Sequence, residues 1–139
     1  MPIQPVGARG VAGVIEIAPG LEDGLKDLEG FSHIFVLYHF HKISGYSLIV
    51  RPFLDKSDHG VFATRVPKRP NSIGLSVLKL VRITGSRIHV ENIDILDGTP
   101  VLDIKPYVPL FDVWDADQIG WFAGKAERAD SHKADERFL

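Results

Sequence analysis

The segment at residues 31–41 constrains the fold of this chain more than any other. Apolar side chains occur at both the even-numbered and the odd-numbered positions. Ile34 and Val36 belong to the first set, and Phe35 and Leu37 to the second. Because successive side chains of a β-strand point to opposite faces, this pattern predicts a strand that is covered on both sides. Such a strand is typical of the centre of a sheet, so further strands are expected beside it.

Six more segments have strand-like patterns separated by turn residues: 14–17, 47–51, 60–63, 73–83, 87–96 and 101–104. Along the 73–83 segment, alternation places one apolar set on a shared face: Ile73, Leu75, Val77, Val81 and Ile83. Short helices are predicted near residues 21–29, where leucines recur at helical spacing, and near 116–126, where Asp115 and Gln118 have capping-box spacing. The predicted fold class is all-β (mainly), a small β-barrel-like sheet with short peripheral helices.

Length and composition narrow the possibilities further. A chain of 139 residues that is 45% hydrophobic predicts one domain over residues 1–139, with a charged tail from about residue 127. The lack of cysteine excludes disulfides, thiolate metal sites and cysteine nucleophiles. The first residues resemble no signal peptide, and the apolar run at 34–40 is too short to span a bilayer. A cytoplasmic protein without membrane contact is expected.

The charge is distributed unevenly along the chain. The net charge is -2, yet residues 41–82 carry eight Lys and Arg against only Asp55 and Asp58. A neutral protein with one basic segment suggests a local contact with an anionic partner. The alternative at this point is a solvated strand and loop face.

Several catalytic motifs are absent. No G-x-G-x-x-G turn, P-loop, G-x-S-x-G elbow or H-E-x-x-H sequence occurs, so the usual dinucleotide or methyltransferase Rossmann turn is excluded. His39 and His41 would share a face of a strand and could begin a metal site. No third ligand lies near them in the sequence, so a hydrogen-bonded pair is favoured and no metal is expected.

A proline-stiffened loop concentrates positive charge. Arg65, Lys68 and Arg69 lie within five residues. Pro67 lies between the first two of them, and Pro70 follows the last. Prolines lower the conformational entropy lost when side chains are presented, and arginine offers a planar fork for carboxylate or phosphate. The pattern indicates either an anion-binding loop or an ordinary surface loop with solvated cations.

A second loop concentrates carboxylates. Asp97 and Gly98 have the positions of a tight turn, and Asp94 and Asp103 lie on either side of it. A ligand-binding loop and a plain hairpin turn are equally compatible with this segment.

Three groups of motifs give the chain a resemblance to a known family. They are Phe31-Ser32-His33-Ile34 with Phe40-His41-Lys42; Gly60-Val61-Phe62-Ala63-Thr64-Arg65 with Arg69-Pro70-Asn71 and Ile73-Gly74-Leu75-Ser76; and Asp97-Gly98-Thr99-Pro100-Val101-Leu102-Asp103-Ile104-Lys105-Pro106-Tyr107. From Pro2 to about Asp112 the chain resembles the TsaA/TrmO family. Ser72 stands where the family usually has a second proline.

The resemblance implies both an activity and a set of binding residues. It implies a barrel-like, non-Rossmann methyltransferase that binds S-adenosylmethionine near a homodimer interface. The implied reaction is N6-methylation of N6-threonylcarbamoyladenosine in the tRNA anticodon loop. The cofactor contacts that the resemblance implies are Pro2, Ile3, Gln4, Phe40, His41, Arg65, Leu75, Ile95, Leu96, Asp97 and Gly98.

The substrate side is predicted from charge and chemistry. The threonyl carboxylate and the neighbouring phosphates are anionic, which suits a site containing Lys68, Arg69 and Asn71. No residue is identified as the general base. Two alternatives stay open, namely a methyltransferase of the same family that acts on a small molecule, and a non-catalytic RNA-binding barrel.

Overall fold

The computed structural model describes residues 10–53 and 55–123. Over that part of the chain it shows seven strands: β1 (Ala12–Glu16), β2 (His33–His39), β3 (Ile49–Val50), β4 (His59–Gly60), β5 (Ile73–Thr84), β6 (Arg87–Glu91) and β7 (Val101–Pro106). The predicted charged tail lies outside the described residues, as do Pro2, Ile3 and Gln4.

Five strands form one antiparallel sheet in the order β1-β6-β5-β2-β7, and β3 and β4 form a separate two-stranded ribbon. Strand β2 pairs with β5 on one side and with β7 on the other, which confirms its predicted place inside the sheet. The predicted cover on both faces is not seen, because Phe35 and Leu37 are only half-buried while Ile34 and Val36 are buried. The mainly-β prediction is likewise confirmed. Within the described residues β1 and β7 do not pair with each other, so the sheet is open and the barrel-like description fits it only loosely.

One face of the sheet, the inner face, carries the hydrophobic core. Its buried side chains come from four strands: Ile15, Ile34, Val36, Tyr38, Leu78, Leu80, Ile88 and Val90. Leu25 and Leu28 pack against this cluster from the segment between β1 and β2. Burial of these side chains is the main favourable term that holds the five strands together.

The opposite face, the outer face, is apolar but uncovered. Ile73 and Leu75 of β5 are 45% and 60% exposed, and Val14 of β1 is 46% exposed. The strand instead directs Gly74, Ser76, Leu78 and Leu80 inward.

The predicted shared face of β5 is wrong at Ile83. A bulge between Leu80 and Arg82 adds one residue to the strand, which reverses the direction of the side chains after it. Ile83 therefore packs against the core, whereas Val81 stays 44% exposed.

Two of the predicted strands end early. The 87–96 segment is a strand only to Glu91, because Asn92 has a left-handed backbone with φ of 67° that cannot continue a ladder. The amide oxygen of Asn92 accepts a hydrogen bond from the Gly10 N–H at 2.8 Å, which fixes this turn. The 60–63 segment is a strand only at its start and then forms a 3₁₀ helix, Val61–Ala63.

The helices are shorter than predicted. The 21–29 region forms two 3₁₀ helices, Glu22–Leu25 and Leu28–Gly30, divided by Asp27 with φ of 70°. Of the predicted 116–126 helix, residues 116–123 are described, and within them there is one 3₁₀ helix, Gly120–Phe122, with no capping bond between Asp115 and Gln118. An α-helix that was not predicted, α1 (Pro109–Asp112), follows β7 with proline in its first turn. No helix in the described residues is long and apolar enough to cross a membrane.

Candidate functional site

Two loops meet at the carboxyl end of β2. The His39 N–H donates to the Pro100 carbonyl at 3.0 Å, and the Phe40 N–H donates to the Ser72 carbonyl at 2.9 Å. These two backbone bonds hold residues 94–100 and residues 64–72 on either side of the Phe40-His41 segment. The structure thus brings together three segments. The Phe40-His41 segment and residues 95–98 are those that the family resemblance assigns to the cofactor, and the third is the loop that contains Arg65.

The 94–100 loop presents an exposed tip. Leu96, Asp97 and Gly98 are exposed, while Ile95 packs against the core. The Thr99 N–H and hydroxyl both donate to the Leu96 carbonyl, at 3.2 and 2.5 Å, and close the turn. Gly98 has φ of 82°, a conformation that L-residues with side chains rarely adopt. The Asp97 carboxylate therefore lies on a fixed turn, where it could meet a cationic ligand.

A buried hydrogen-bonded chain lies under this loop. The Ser76 hydroxyl donates to the Asp94 carboxylate at 2.8 Å, and the Tyr38 hydroxyl lies 3.2 Å from the Ser76 oxygen. Because Ser76 has a single hydroxyl proton and gives it to Asp94, the Tyr38 hydroxyl is the donor to Ser76. All three side chains are at most 6% exposed.

The environment shifts the acidities of two members of this chain. Loss of hydration raises the pKa of Asp94 from 3.8 to about 6, and the hydrogen bond from Ser76 opposes the rise. Burial likewise raises the pKa of Tyr38. Sequence reasoning noted Asp94 only as a nearby carboxylate and did not identify its partners. The signal that would have found them is the strand register, since Tyr38 lies opposite Gly74 in β5, two residues from Ser76.

The Tyr38 ring is held from two sides. A side chain at Gly74 would overlap the ring, which explains why glycine is needed inside this strand. The Phe40 ring packs edge-on against Tyr38 with centroids 5.3 Å apart. Phe40 is thereby positioned by the same buried chain that underlies the 94–100 loop.

The 64–72 loop is held by its own backbone. Arg69 donates from Nη1 to the carbonyls of Thr64 and Val66, at 2.9 and 3.1 Å. The Ser72 hydroxyl donates to the Arg69 carbonyl at 3.2 Å. The observed contacts of Arg69 are therefore within the loop, so a role in reading the substrate stays a prediction. Lys68 and Asn71 are exposed, as is Arg65.

An aromatic stack supports the same loop from behind. The rings of His59 and Trp121 stack with centroids 4.4 Å apart, and the Trp121 indole N–H donates to the Ala63 carbonyl at 2.8 Å. The carboxylate of Asp55 is hydrogen-bonded to His59 Nε2. The sequence contained no signal for this group, because Trp121 is distant along the chain from Asp55 and His59 and the three residues match no motif.

The remaining predicted residues lie apart from this cluster. Leu75 points to the outer face, whereas Phe40 packs on the inner face. Two surface cavities, of about 230 and 340 Å³, lie beside the 3₁₀ helices and beside β1, and none of the described residues assigned to the cofactor lines either one. As for metals, the described part of the chain has no group of three or more acidic or histidine side chains that could hold an ion.

The comparison with protein families gives a match over residues 1–113, to the tRNA-methyltransferase O N-terminal domain. A probable S-adenosyl-L-methionine-binding protein of Pyrococcus abyssi is 47% identical over 139 residues, which is all of this chain and 76% of the relative. The human tRNA (adenine(37)-N6)-methyltransferase is 46% identical over 94 residues, which is 66% of this chain and 21% of the relative.

The solved structure of TrmO from Pseudomonas aeruginosa superimposes with a TM-score of 0.70 and 40% sequence identity. The match covers 86% of this chain and 53% of that protein. Apart from the Pyrococcus relative, the chain spans about half or less of the length of these similar proteins.

Proposed function

Since the chain belongs to the tRNA-methyltransferase O N-terminal domain family, we propose that it transfers a methyl group from S-adenosylmethionine to N6 of N6-threonylcarbamoyladenosine in the tRNA anticodon loop. Membership confirms the resemblance drawn from the sequence motifs. The names of the relatives support the cofactor and the adenine N6 position. We propose, beyond this, that the substrate carries the threonylcarbamoyl group and that the site is assembled from the two loops at the end of β2.

The observation that carries the proposal is the convergence at the end of β2. The Phe40-His41 segment and the 94–100 loop are joined through the His39 to Pro100 backbone bond. The exposed Asp97 carboxylate on a fixed turn fits a ligand that carries sulfonium and ammonium charges. When bound, S-adenosylmethionine supplies an electrophilic methyl group attached to a positive sulfur.

The weak reactivity of the acceptor nitrogen determines what the site has to contribute to methyl transfer. N6 lies between a purine ring and a urea carbonyl, so it is a weak nucleophile and must lose its proton as the N–C bond forms. With S-adenosylmethionine bound, the breaking S–C bond would leave its electron pair on sulfur, and the N6 proton would pass to solvent. Holding N6 in line with the methyl group is the main contribution expected of the site.

The charge of the 64–72 loop supports an anionic substrate. Arg65 and Lys68 are exposed in this loop, and Ser72 at its end accepts a backbone hydrogen bond from Phe40. The threonyl carboxylate and loop phosphates would meet these cations. The modified base lies in a single-stranded loop, so taking it into a site does not require opening a duplex.

A homodimer would complete the site. The outer face carries exposed apolar side chains, including Ile73, Leu75 and Val14, and Leu75 is one of the residues assigned to the cofactor. A patch of this kind on a small protein is typical of an interaction surface. A second copy on the outer face would cover Leu75 and supply walls that one small sheet lacks.

The dimer is tested by light scattering on Leu75→Asp. The wild type is expected as a dimer at micromolar concentration, and the variant as a folded monomer with weakened cofactor binding. Leu21→Asp is the matched control, since Leu21 is 63% exposed beside the 3₁₀ helix that covers the inner face. A monomeric wild type that still binds the cofactor would remove the dimer from the proposal.

The activity is tested in two steps. A thermal-shift titration with S-adenosylmethionine separates a methyltransferase from a non-catalytic RNA-binding barrel. Methyl transfer is then measured on tRNA that carries or lacks the threonylcarbamoyl group. Equal transfer to both, or transfer only to a small molecule, would contradict the proposed substrate.

A further inference from the structure

The buried chain of Tyr38, Ser76 and Asp94 links three strands to the 94–100 loop. Tyr38 comes from β2 and Ser76 from β5, and Asp94 is the first residue of the loop. All three are buried, so they do not form the surface that a ligand would meet. A carboxylate at this place brings one negative charge under the loop whose exposed tip contains Asp97.

We propose that the ionisation of Asp94 controls the affinity of the site for its cationic cofactor. The inference rests on the proposed function, because it takes the 94–100 loop as the cofactor loop. Asp94 is here a positioning residue, which acts through the loop and through its charge and does not touch the reacting atoms.

The surroundings of Asp94 favour such a role. Its partners are the Ser76 hydroxyl from β5 and, through that, the Tyr38 phenol from β2, and both are neutral. Among the described residues, its carboxylate bonds to Ser76 and to its own backbone N–H, and no cationic side chain contributes to its pKa. A buried negative charge without a neutralising partner attracts a cation more strongly than an exposed one, since the local dielectric constant is low.

The direction of the effect follows from linkage. Because burial raises the pKa of Asp94 to about 6, the group changes its charge between pH 5 and pH 7. The ionised form favours the cationic ligand, so affinity is highest above this range and falls as the carboxylate is protonated. If only the ionised form binds tightly, the dissociation constant at pH 5 is about tenfold that at pH 7.5.

The test is calorimetry on the full chain at pH 5, 6 and 7 with S-adenosylmethionine and with S-adenosylhomocysteine. Both ligands keep a protonated amino group in this range, but only the first carries the sulfonium charge. The wild type is expected to show the pH dependence with S-adenosylmethionine and a smaller one with S-adenosylhomocysteine.

Asp94→Asn keeps an oxygen that can accept from Ser76 but carries no charge. We expect its affinity for S-adenosylmethionine at pH 7 to be more than tenfold lower than that of the wild type and constant within twofold across the range. Asp97→Asn is the matched control, because it removes an exposed carboxylate of the same loop; its affinity falls while the pH dependence stays. An Asp94→Asn variant that retains the wild-type pH dependence would overturn the inference.

A second measurement does not depend on the folding of any variant. Carbon NMR of the Asp94 carboxyl group in the wild type should show its pKa falling when S-adenosylmethionine is added, because linkage is reciprocal. An unchanged titration with bound cofactor overturns the inference and leaves the proposed function standing. A wild type that binds neither ligand at any pH overturns both.

Discussion

The two loops beside the end of β2 are held in different ways. The 64–72 loop is tied by the Arg69 guanidinium, which bonds to the carbonyls of Thr64 and Val66. The 94–100 loop starts from Asp94, a carboxyl group that bonds to Ser76 and whose pKa is raised by burial to about 6. One loop is therefore anchored by a cation on backbone carbonyls, and the other by a buried carboxyl group whose charge depends on pH.

This difference separates the responses of the two loops to the solution. Exposed cations such as Lys68 interact through solvent, and their contribution depends on ionic strength. The buried carboxyl group of Asp94 is screened little by salt and depends on pH. Variants in the two loops should consequently be distinguishable by which of these conditions changes their effect.

The largest expected effect is that of Asp94→Asn on the free energy of unfolding. The native pKa of about 6 lies above the ordinary 3.8, so the folded protein binds the Asp94 proton more tightly than the unfolded chain does. The resulting stabilisation of the folded state is complete below pH 3.8 and is lost as pH rises through 6. The difference corresponds to roughly 3 kcal/mol. Asp94→Asn should therefore be as stable as wild type at pH 4 and more stable at pH 7.5, measured by denaturant unfolding.

Asp103→Asn should change the pH dependence of the free energy of unfolding in the opposite direction, and it serves as the control. The pKa of Asp103 is lowered, mainly by the hydrogen bond from Lys105, whose ammonium lies 2.9 Å from the carboxylate. Its small contribution is present above 3.8 and disappears as pH falls through the lowered pKa. If Asp94→Asn is less stable than wild type at pH 7.5, hydration of Asp94 in solution is greater than its burial indicates.

The next effect is on the stability of the 64–72 loop. Arg69→Ala removes two charge-assisted bonds to backbone carbonyls, and their loss should lower the free energy of unfolding by about 2 kcal/mol at any pH between 5 and 8. Thermal unfolding checks this, with Lys68→Ala as the matched control, since Lys68 is exposed. An Arg69→Ala variant as stable as Lys68→Ala would show that the loop does not need these bonds.

The same variant decides whether Arg69 also reads the substrate. If it only holds the loop, Arg69→Ala lowers affinity equally for tRNA with and without the threonylcarbamoyl group. If its remaining N–H donors bind the threonyl carboxylate, the modified tRNA loses far more, by roughly 1.5–3 kcal/mol. Filter binding with both tRNAs distinguishes the two results.

A smaller effect is expected for the exposed carboxylate of the 94–100 loop. Asp97→Ala should weaken S-adenosylmethionine binding by about fivefold, near 1 kcal/mol, because a solvent-exposed charge pair is partly screened. Binding of tRNA should change less. Calorimetry measures both, after circular dichroism has shown that the turn closed by Thr99 is still folded. An unchanged cofactor affinity would contradict the assignment of Asp97.

How much of the fold was predictable follows from particular residues. The continuous apolar run from Ile34 to Leu37 identified β2 as an inner strand of the sheet, which it is, although only the face with Ile34 and Val36 is fully buried. The direction of Ile83 was not predictable, since the bulge before Arg82 depends on pairing with β6. The 3₁₀ form of the 22–30 region depends on the left-handed Asp27, which no periodicity indicates.

The site was predictable only at the level of segments. Motifs located Phe40 and the 94–100 loop, and the structure brings them together through the bond from the His39 N–H to the Pro100 carbonyl. The partners of Arg69 were not predictable, because backbone carbonyls leave no residue signature in a sequence. The Ser76 to Asp94 bond joins residues whose proximity depends on the register of the sheet.

The smallest effect, and the one that tests the contrast between the loops most directly, is that of Lys68 on tRNA binding. Lys68 is exposed, so in contact with a phosphate it would act as a point charge and release about one counterion. Lys68→Ala should weaken modified and unmodified tRNA alike and reduce the slope of log affinity against log salt by about one. Asp94→Asn should leave that slope unchanged, because its charge is buried beneath the other loop. A slope unaffected by Lys68→Ala would mean that the 64–72 loop meets no phosphate, and the basic segment would then be a solvated surface.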